Sequence, residues 1–414
     1  MDRRLNPYTP NAGAKPPVLV GRKSELEDFD VLLHRLEAGY TEKSLIAVGL
    51  RGVGKTVLLG EFRHLALERE WNVVEIEVSK WDEAQFRRSI ARELRRVLHG
   101  ISARNRWTEK LRGAIGALRS FTLKVDPEGH LTVGLDADAS VGVADSGDLD
   151  ADLSDLLVGV GEAAREHDTG VVLLLDELHF LTRPQMEALI AAVHKTVQRS
   201  LPLTAAAAGL PQIHELVGDA KTYAERLFKF PSIGKLDDSE AREVLREPAR
   251  RLDVDFGDKA LDLGLEFSEG YPYFLQEFGE AAWDLASGSS INEMDGLRAK
   301  LVVQEKLDSG FFKVRLERTT ELQKAYLRAM AELGPDAQLA SRVADLLDRT
   351  SSECGPTRKQ LIDKGLLYAT EHGYAAFTVP GFDDYLKRAI PHLTPPPMKR
   401  RRNHGLARPI SVSG

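Results

Sequence analysis

The sequence predicts an α/β protein: a P-loop, doubly wound parallel sheet, followed by a helical lid domain and a C-terminal winged helix-turn-helix. Three observations carry that expectation. The octapeptide GLRGVGKT, Gly49 to Thr56, fits the phosphate-loop pattern G-x-x-x-x-G-K-[ST] at each specified position. It stands between a short apolar run, Leu45 to Val48, and a segment, Val57 to Glu68, with apolar residues at helical spacing. Val171 to Leu175 is an unbroken apolar run ending in Asp176-Glu177, the pattern of a central parallel strand buried on both faces. Strand and helix patterns then alternate to about Ile233, after which Asp237 to Lys306 carries helix patterns and no strand candidate.

The chemistry of the loop follows from its residue types. Gly52 and Gly54 let the backbone turn its N–H groups toward phosphate oxygens, and the following helix N-terminus adds a favourable dipole. Lys55 can reach the β- and γ-phosphates, and the Thr56 hydroxyl can coordinate Mg²⁺. The segment from Gly49 through Gly52, Val53, Gly54, Lys55 and Thr56 to Val57 is therefore the candidate ATP site. Hydrolysis needs a second, acid-bearing strand end. Asp176 is assigned to the metal, through water, and Glu177 to the base that deprotonates the attacking water.

Taken in order, residues 1–17 are rich in Pro, Asn and Gly and read as an extended arm. Val20 to Leu36 reads as a helix and Val73 to Val78 as the second strand, with helices from Glu83 to Leu98 and Asn105 to Arg119. FTLKVDPEGHLTVGLDA alternates apolar and polar residues on both sides of Asp126 to Gly129, which predicts a β-hairpin insertion near 120–150. Helices over Leu153 to Arg165 and Gln185 to Arg199 flank the acidic strand, and Leu203 to Ala208 is a small-residue strand closing the core at about residue 235. Four helix patterns, starting at Asp238, Gly257, Pro272 and Asn292, make the lid, 236–306. Helices over Glu321 to Glu332, Ser341 to Leu347 and Ser352 to Lys364 precede two short strands, Leu366 to Thr370 and Ala375 to Val379. Three helices and a hairpin are the parts of a winged helix, 307–390. Residues 391–414, with Lys399 to Arg402 and Arg408 and no acid, predict a basic disordered tail.

At 414 residues the chain is long enough for several cores, and its net charge of -7 argues against a surface that binds nucleic acid everywhere. The single Cys354 excludes an internal disulfide and fits a reducing cytoplasm. The first residues lack the apolar stretch of a secretory signal, and no run reaches membrane-spanning length, so a cytoplasmic protein without a membrane partner is expected. The eleven histidines show no metal-ligand spacing.

These parts in this order resemble the AAA+ ATPases, and within them the bacterial and archaeal relatives of the origin-recognition and replication-licensing ATPases. The likeness is carried by VGRKSEL (Val20 to Leu26), GLRGVGKT, LLLDELHFL (Leu173 to Leu181), AAGLP (Ala207 to Pro211), YAERLFKF (Tyr223 to Phe230) and GYPYFLQ (Gly270 to Gln276). It implies that Val20, Gly21 and Arg22 contact the adenine. It also implies that Arg226 is inserted by a neighbouring subunit beside the γ-phosphate, so that the ATP state forms a homo-oligomer. Two departures stand out. The strand Leu203 to Ala208 offers only Thr204 where a terminal polar residue would sense the γ-phosphate. Pro272 and Tyr273 follow the lid glycine in place of an arginine, which looks more like the G-x-P lid of the STAND signalling ATPases and adds Pro272 to the nucleotide contacts.

The winged helix offers Ser352, Thr357, Arg358, Lys359 and Lys364 toward a groove, enough for phosphate anchoring of duplex DNA, with protein docking as the alternative. The expected function is an ATP-binding, slowly hydrolysing ATPase whose nucleotide state controls oligomerisation and binding to DNA or to an unidentified protein partner. A STAND-like signalling or defence switch and a non-hydrolysing, nucleotide-stabilised DNA adaptor are the alternatives.

Overall fold

The computed structural model describes residues 1–102, 108–123 and 142–397. The chain divides into two compact units, Met1–Leu307 and a second that begins at Asp308. In the first, α1 (Lys23–Glu37) is followed by β1 (Ser44–Val48), α2 (Lys55–Glu68), β2 (Asn72–Glu77), α3 (Glu83–Ser102), α4 (Glu109–Leu123), α5 (Leu149–Glu166), β3 (Val171–Asp176), α6 (Arg183–Gln198), β4 (Leu203–Gly209), α7 (Ile213–Ala220), α8 (Ala224–Leu227) and β5 (Phe228–Lys229).

The five strands form one parallel sheet in the order β2-β3-β4-β1-β5. Both faces are covered, so alternate residues of a strand serve two cores. Ile46, Val48, Leu173, Leu175, Ala205 and Ala207 pack with the helices that follow β2 and β3. Leu45, Ala47, Val172, Leu174, Ala206 and Ala208 pack against α1 and α2. This is why the strands read as continuous apolar runs rather than alternating ones. On α1, Phe29, Leu32, Leu33 and Leu36 are buried, one helical stripe spaced by three and four residues. The register aligns Glu77 with Asp176, Leu175 with Ala207 and Val48 with Gly209, bringing the C-terminal ends of β1, β3 and β4 to one edge.

Between β2 and β3 the regular elements among the described residues are the helices α3, α4 and α5, with loops between them. The predicted β-hairpin falls on residues 124–141, outside the described residues, except that Phe121–Leu123 complete α4 rather than opening a strand. Apolar residues of α4 are the reason: Leu111, Ala114, Ile115, Leu118 and Phe121 recur at helical spacing and join the main core. Arg87, buried on α3, ties these helices together. Its guanidinium lies 3.0 Å from Asp152 of α5 and 4.8 Å from the Phe121 ring centre, and Asp152 accepts in turn from Ser146.

Beyond the sheet come α9 (Asp238–Arg250), β6 (Asp255–Phe256), α10 (Asp258–Ser268), α11 (Pro272–Leu285), β7 (Ser290–Ile291) and α12 (Glu293–Lys306), with their own hydrophobic cluster. Reciprocal caps, Asp237 with Glu240 and Asn292 with Asp295, fix the starts of α9 and α12. The strandless reading of this stretch is corrected by one small pair. β6 and β7 are parallel and two residues long, below any length at which alternation can be read. Residues 1–17 contain a single 3-10 turn, Arg3–Leu5, and do not extend free: residues 1–9 lie on this helical segment, and Lys15 pairs with Glu61 of α2 at 2.9 Å. Tyr8 is buried among Leu245, Phe278 and Ala282 with its hydroxyl donating to the Leu245 carbonyl, and Asn6 donates to the Glu280 carbonyl at 3.0 Å.

In the second unit α13 (Lys313–Glu317) leads to α14 (Glu321–Leu333), β8 (Gln338–Leu339), α15 (Ala340–Asp345), α16 (Ser351–Asp363), β9 (Leu367–Ala369), β10 (Tyr374–Phe377) and α17 (Phe382–Ala389). The strands form an antiparallel sheet, β8-β10-β9, so the hairpin read from the sequence has a third, two-residue strand beside it. Capping boxes at Thr320/Gln323 and Thr350/Glu353 start α14 and α16. Lys399 to Arg402 and Arg408 lie outside the described residues.

Candidate nucleotide site

The loop between β1 and α2 turns back on itself at two glycines with left-handed backbone, Gly52 (φ 83°) and Gly54 (φ 92°), a geometry side chains resist. Gly49 lies under the connection to the helical segment: a Cβ there would stand 2.1 Å from the Ile233 carbonyl oxygen. Val53 is buried in the core below the loop, and Val57 is half-buried in the first turn of α2. Lys55, the first residue of α2, is only 8% exposed. Its ammonium donates to the Leu50 carbonyl at 2.7 Å. Burial pushes this amine down to about 8, against the pull of Glu177 and Asp176.

Opposite the loop stands the end of β3. The Thr56 hydroxyl donates to Asp176 Oδ2 at 2.6 Å, and Asp176 Oδ1 accepts from the Glu177 amide at 2.7 Å. Glu177 has left-handed backbone (φ 52°), a conformation rare for a side chain of this size, at the sharp turn into the 3-10 turn Leu178–Phe180. Its carboxylate accepts from Arg51 Nη1 at 3.1 Å, and its other oxygen lies 3.4 Å from His179 Nδ1. The Leu210 amide, just past β4, donates to that same Nδ1 at 3.3 Å. The imidazole's proton therefore sits on Nε2, which is buried and without a partner among the described residues. Burial first, then the cations of Arg51 and Lys55, hold this histidine down at about 3, so it is neutral throughout the physiological range.

Lys55, Thr56, Asp176 and Glu177 are thus brought together. The other nominated positions sort differently. Val20 packs with the helical segment's cluster, and Gly21 (φ 67°) faces Glu240 of α9. Arg22 is buried and its guanidinium is used on three carbonyls, Gly21 at 2.7 Å, Val53 at 3.0 Å and Gly234 at 2.8 Å. It ties the loop to the connection into α9. Pro272 is the first residue of α11, and the Tyr273 amide behind it donates to the Gly52 carbonyl at 3.2 Å, so the helix start is docked on the phosphate loop. Thr204 pairs with Ser44 at 2.9 Å near the start of β4, far from the strand's C-terminal end. Arg226 is exposed on the short α8 and its side chain has no partner among the described residues.

Two residues of the site were not read from the sequence. Arg51 occupies an unspecified position of the motif, and His179 is brought to Glu177 by the 3-10 turn. The charge of Arg51 inside the loop was a visible signal; His179 had none.

A triphosphate with Mg²⁺ fits the residues present. The buried Lys55 ammonium has three protons and one carbonyl partner, so it has donors to give an anion. Thr56 and Asp176 supply two oxygens, and no cluster of three acidic, His or Cys groups exists among the described residues. That sparse set suits Mg²⁺, which keeps waters and phosphate oxygens about it, better than an all-protein cage.

On α16 of the second unit the groove-facing reading needs correction. Thr357 is buried, Arg358 Nη2 donates to the Tyr374 carbonyl at 2.6 Å, and the Lys364 amine caps Arg318 and Gln323, both at 2.7 Å. Cys354, Thr357 and Leu361 form the inward stripe, and the neighbouring cations are drawn onto carbonyls of the same unit. Ser352, Lys359 and Lys364 remain exposed, Lys364 with its amine engaged as described.

A parallel sheet with a phosphate loop after its β1 and an acidic pair at the end of β3 defines a P-loop nucleotide-binding domain. Residues 18–205 match the family model described as AAA ATPase domain, and residues 309–386 match that of a domain of unknown function. The chain carries an AAA ATPase domain. No curated protein matches it by sequence. Among solved structures it is similar to the Walker-type ATPase of Pyrococcus abyssi, at 15% identity over 89% of this chain and 96% of that one, with a TM-score of 0.56. Weaker likenesses are to the ORC1 protein of Aeropyrum pernix in complex with DNA (13% identity, 93% and 96% covered, TM-score 0.46) and to the RuvB Holliday junction branch migration motor of Thermotoga maritima (17%, 91% and 99%, 0.43). At these identities the likeness is one of fold. Among the described residues no helix is long and apolar enough to cross a membrane.

Proposed function

We propose that the protein binds ATP with Mg²⁺ and hydrolyses it slowly, and that its nucleotide state sets self-association and its grip on DNA or a protein partner. The observation that carries this reading is the Thr56–Asp176 hydrogen bond of 2.6 Å, which joins the phosphate loop to the acidic strand end. In this reading the loop amides from Gly49 to Val57 and the Lys55 ammonium hold the phosphates, and Thr56 and Asp176 hold the metal. Bound there, Mg²⁺ would offset charge on the phosphate oxygens. Glu177 takes the proton of the attacking water, the step for which a carboxylate beside the γ-phosphate is needed. Val20, Gly21 and Pro272 border the base and ribose, while Arg22 supports them from beneath. Arg226, exposed and without a side-chain partner among the described residues, is free to act on a neighbouring subunit's γ-phosphate.

The helical segment 236–306 acts as the lid, and its docked start at Tyr273–Gly52 favours a slow, switch-like cycle. That contact is also what speaks for the STAND-like reading. The second unit, in which α14, α15 and α16 accompany a small antiparallel sheet, is taken as the winged helix, offering Lys359 and the basic tail to duplex DNA or a face to a protein. ATP turnover measured with Mg²⁺, with and without duplex DNA, separates the readings. Slow turnover that DNA changes supports the proposal, binding without turnover supports the adaptor, and turnover indifferent to DNA supports a switch. Failure to bind ATP would remove all three.

A further inference from the structure

The phosphate loop holds a cation that its motif does not specify. Arg51 stands between Leu50, whose carbonyl receives Lys55, and Gly52, whose carbonyl receives Tyr273. Its Nη1 donates to Glu177 Oε1 at 3.1 Å, in a half-buried pair whose side chains are 29% and 23% exposed. At the two positions where the resemblance places a contact to the terminal phosphate, no polar side chain is free to make it: the Tyr273 hydroxyl donates to Glu277 at 2.8 Å. β4 ends in Ala205 to Gly209, with Thr204 engaged by Ser44 near its start, and α11 opens with Pro272 and Tyr273.

We propose that Arg51 is a positioning residue that senses the terminal phosphate in cis and controls Glu177; this rests on the ATP-site reading above. In the structure the guanidinium is held by Glu177. A γ-phosphate competes for it with more charge and with oxygens spaced to accept the planar fork in two parallel bonds. The exchange removes the cation from Glu177 and leaves that carboxylate able to accept a proton from water. The Glu177 backbone does not follow Arg51, because its turn is fixed by the bond from its own amide to Asp176. ADP lacks the competing group, so the Arg51–Glu177 pair persists with ADP bound. Discrimination between the two nucleotides is thereby built into the loop itself, where the lid and β4 supply none.

Affinities for ATP and ADP, each with Mg²⁺, measured by calorimetry on the full chain test this. Arg51→Ala is expected to weaken ATP by about 10- to 100-fold, the range of a charge-assisted bond, and to leave ADP unchanged. Arg51→Lys should recover part of the ATP:ADP ratio, a point charge replacing the fork. Glu177→Gln should raise the ratio above wild type, since the amide holds the guanidinium less well. Arg51→Ala that lowers both nucleotides equally, or neither, would overturn the proposal while leaving the site itself intact. If wild type and Lys55→Ala alike show no ATP affinity, the ATP-site reading fails and this inference with it.

Discussion

Thr56 Oγ1 donates to Asp176 Oδ2 at 2.6 Å, and the two residues belong to segments 120 positions apart in the chain. The bond forms because β1 and β3 both flank β4 in a parallel sheet, which puts their C-terminal ends on one edge. One carboxylate oxygen serves the hydroxyl and the other receives the Glu177 amide, so Asp176 is fixed from both sides. The pair proposed to hold the metal and the turn that presents the proposed base are therefore one structure.

Lys55→Ala should abolish ATP binding while leaving the fold at least as stable. The ammonium is buried, and its folded value of about 8 lies below the unfolded 10.5. That contribution to stability is complete above 10.5 and lost as pH falls to 8, so at neutral pH the buried charge costs on the order of 3 kcal/mol. Thermal melts of the variant should match or exceed wild type. A large fall in melting temperature would show that Lys55 is structural.

The same depressed lysine predicts the pH dependence of binding. A phosphate stabilises the ammonium form, so ATP should bind without proton exchange near pH 6.5 and with proton uptake between 8 and 9. Above about 8 the dissociation constant should rise by up to about tenfold per pH unit. Calorimetry in two buffers of different ionisation enthalpy reads the uptake directly. Zero uptake at pH 8.5 would mean the amine is already charged at that pH.

Glu177→Gln should keep ATP and lose turnover, because an amide of the same shape cannot take the proton. Phosphate release followed over hours is the measurement, and undiminished release would assign the base elsewhere.

Much of this site is legible in the sequence because its strongest parts are local. The glycine spacing of GLRGVGKT and the apolar run ending in Asp176-Glu177 each specify a turn within a few residues. What escaped is long-range. The use of Arg22 on the Val53 and Gly234 carbonyls depends on how three distant segments meet, and the burial of Tyr8 beneath α9 and α11 depends on a core the first residues do not share in sequence. Arg358 and Lys364 show the same limit on α16: their spacing is that of a basic helix face, yet carbonyls of neighbouring elements take both.

Oligomer formation should follow the γ-phosphate. Light scattering is expected to show a larger mass with ATP than with ADP, and Arg226→Ala should bind ATP but hydrolyse it more slowly. Mixing Arg226→Ala with Glu177→Gln subunits should restore part of the activity, since some interfaces pair an intact base with an intact arginine. No rescue between two folded, associating variants would leave Arg226 a surface residue.

Binding to duplex DNA by an acidic chain must use a local basic surface, here Lys359 and the tail residues Lys399 to Arg402. Each phosphate contact releases counterions, so affinity should fall with salt at a log–log slope near 0.9 per contact. Deleting residues 391–414 should weaken binding uniformly across duplexes and flatten that slope, while Lys359→Ala should remove about one contact. Arg358→Ala should behave differently. Its guanidinium is bonded to the Tyr374 carbonyl, so the substitution removes a half-buried bond between α16 and β10 and should lower the melting temperature of the second unit before it changes affinity. Fluorescence anisotropy and thermal melts on the same three variants separate these effects. If the full chain with ATP shows no duplex affinity even at low salt, the second unit docks a protein, and the STAND-like reading gains over the DNA-binding one.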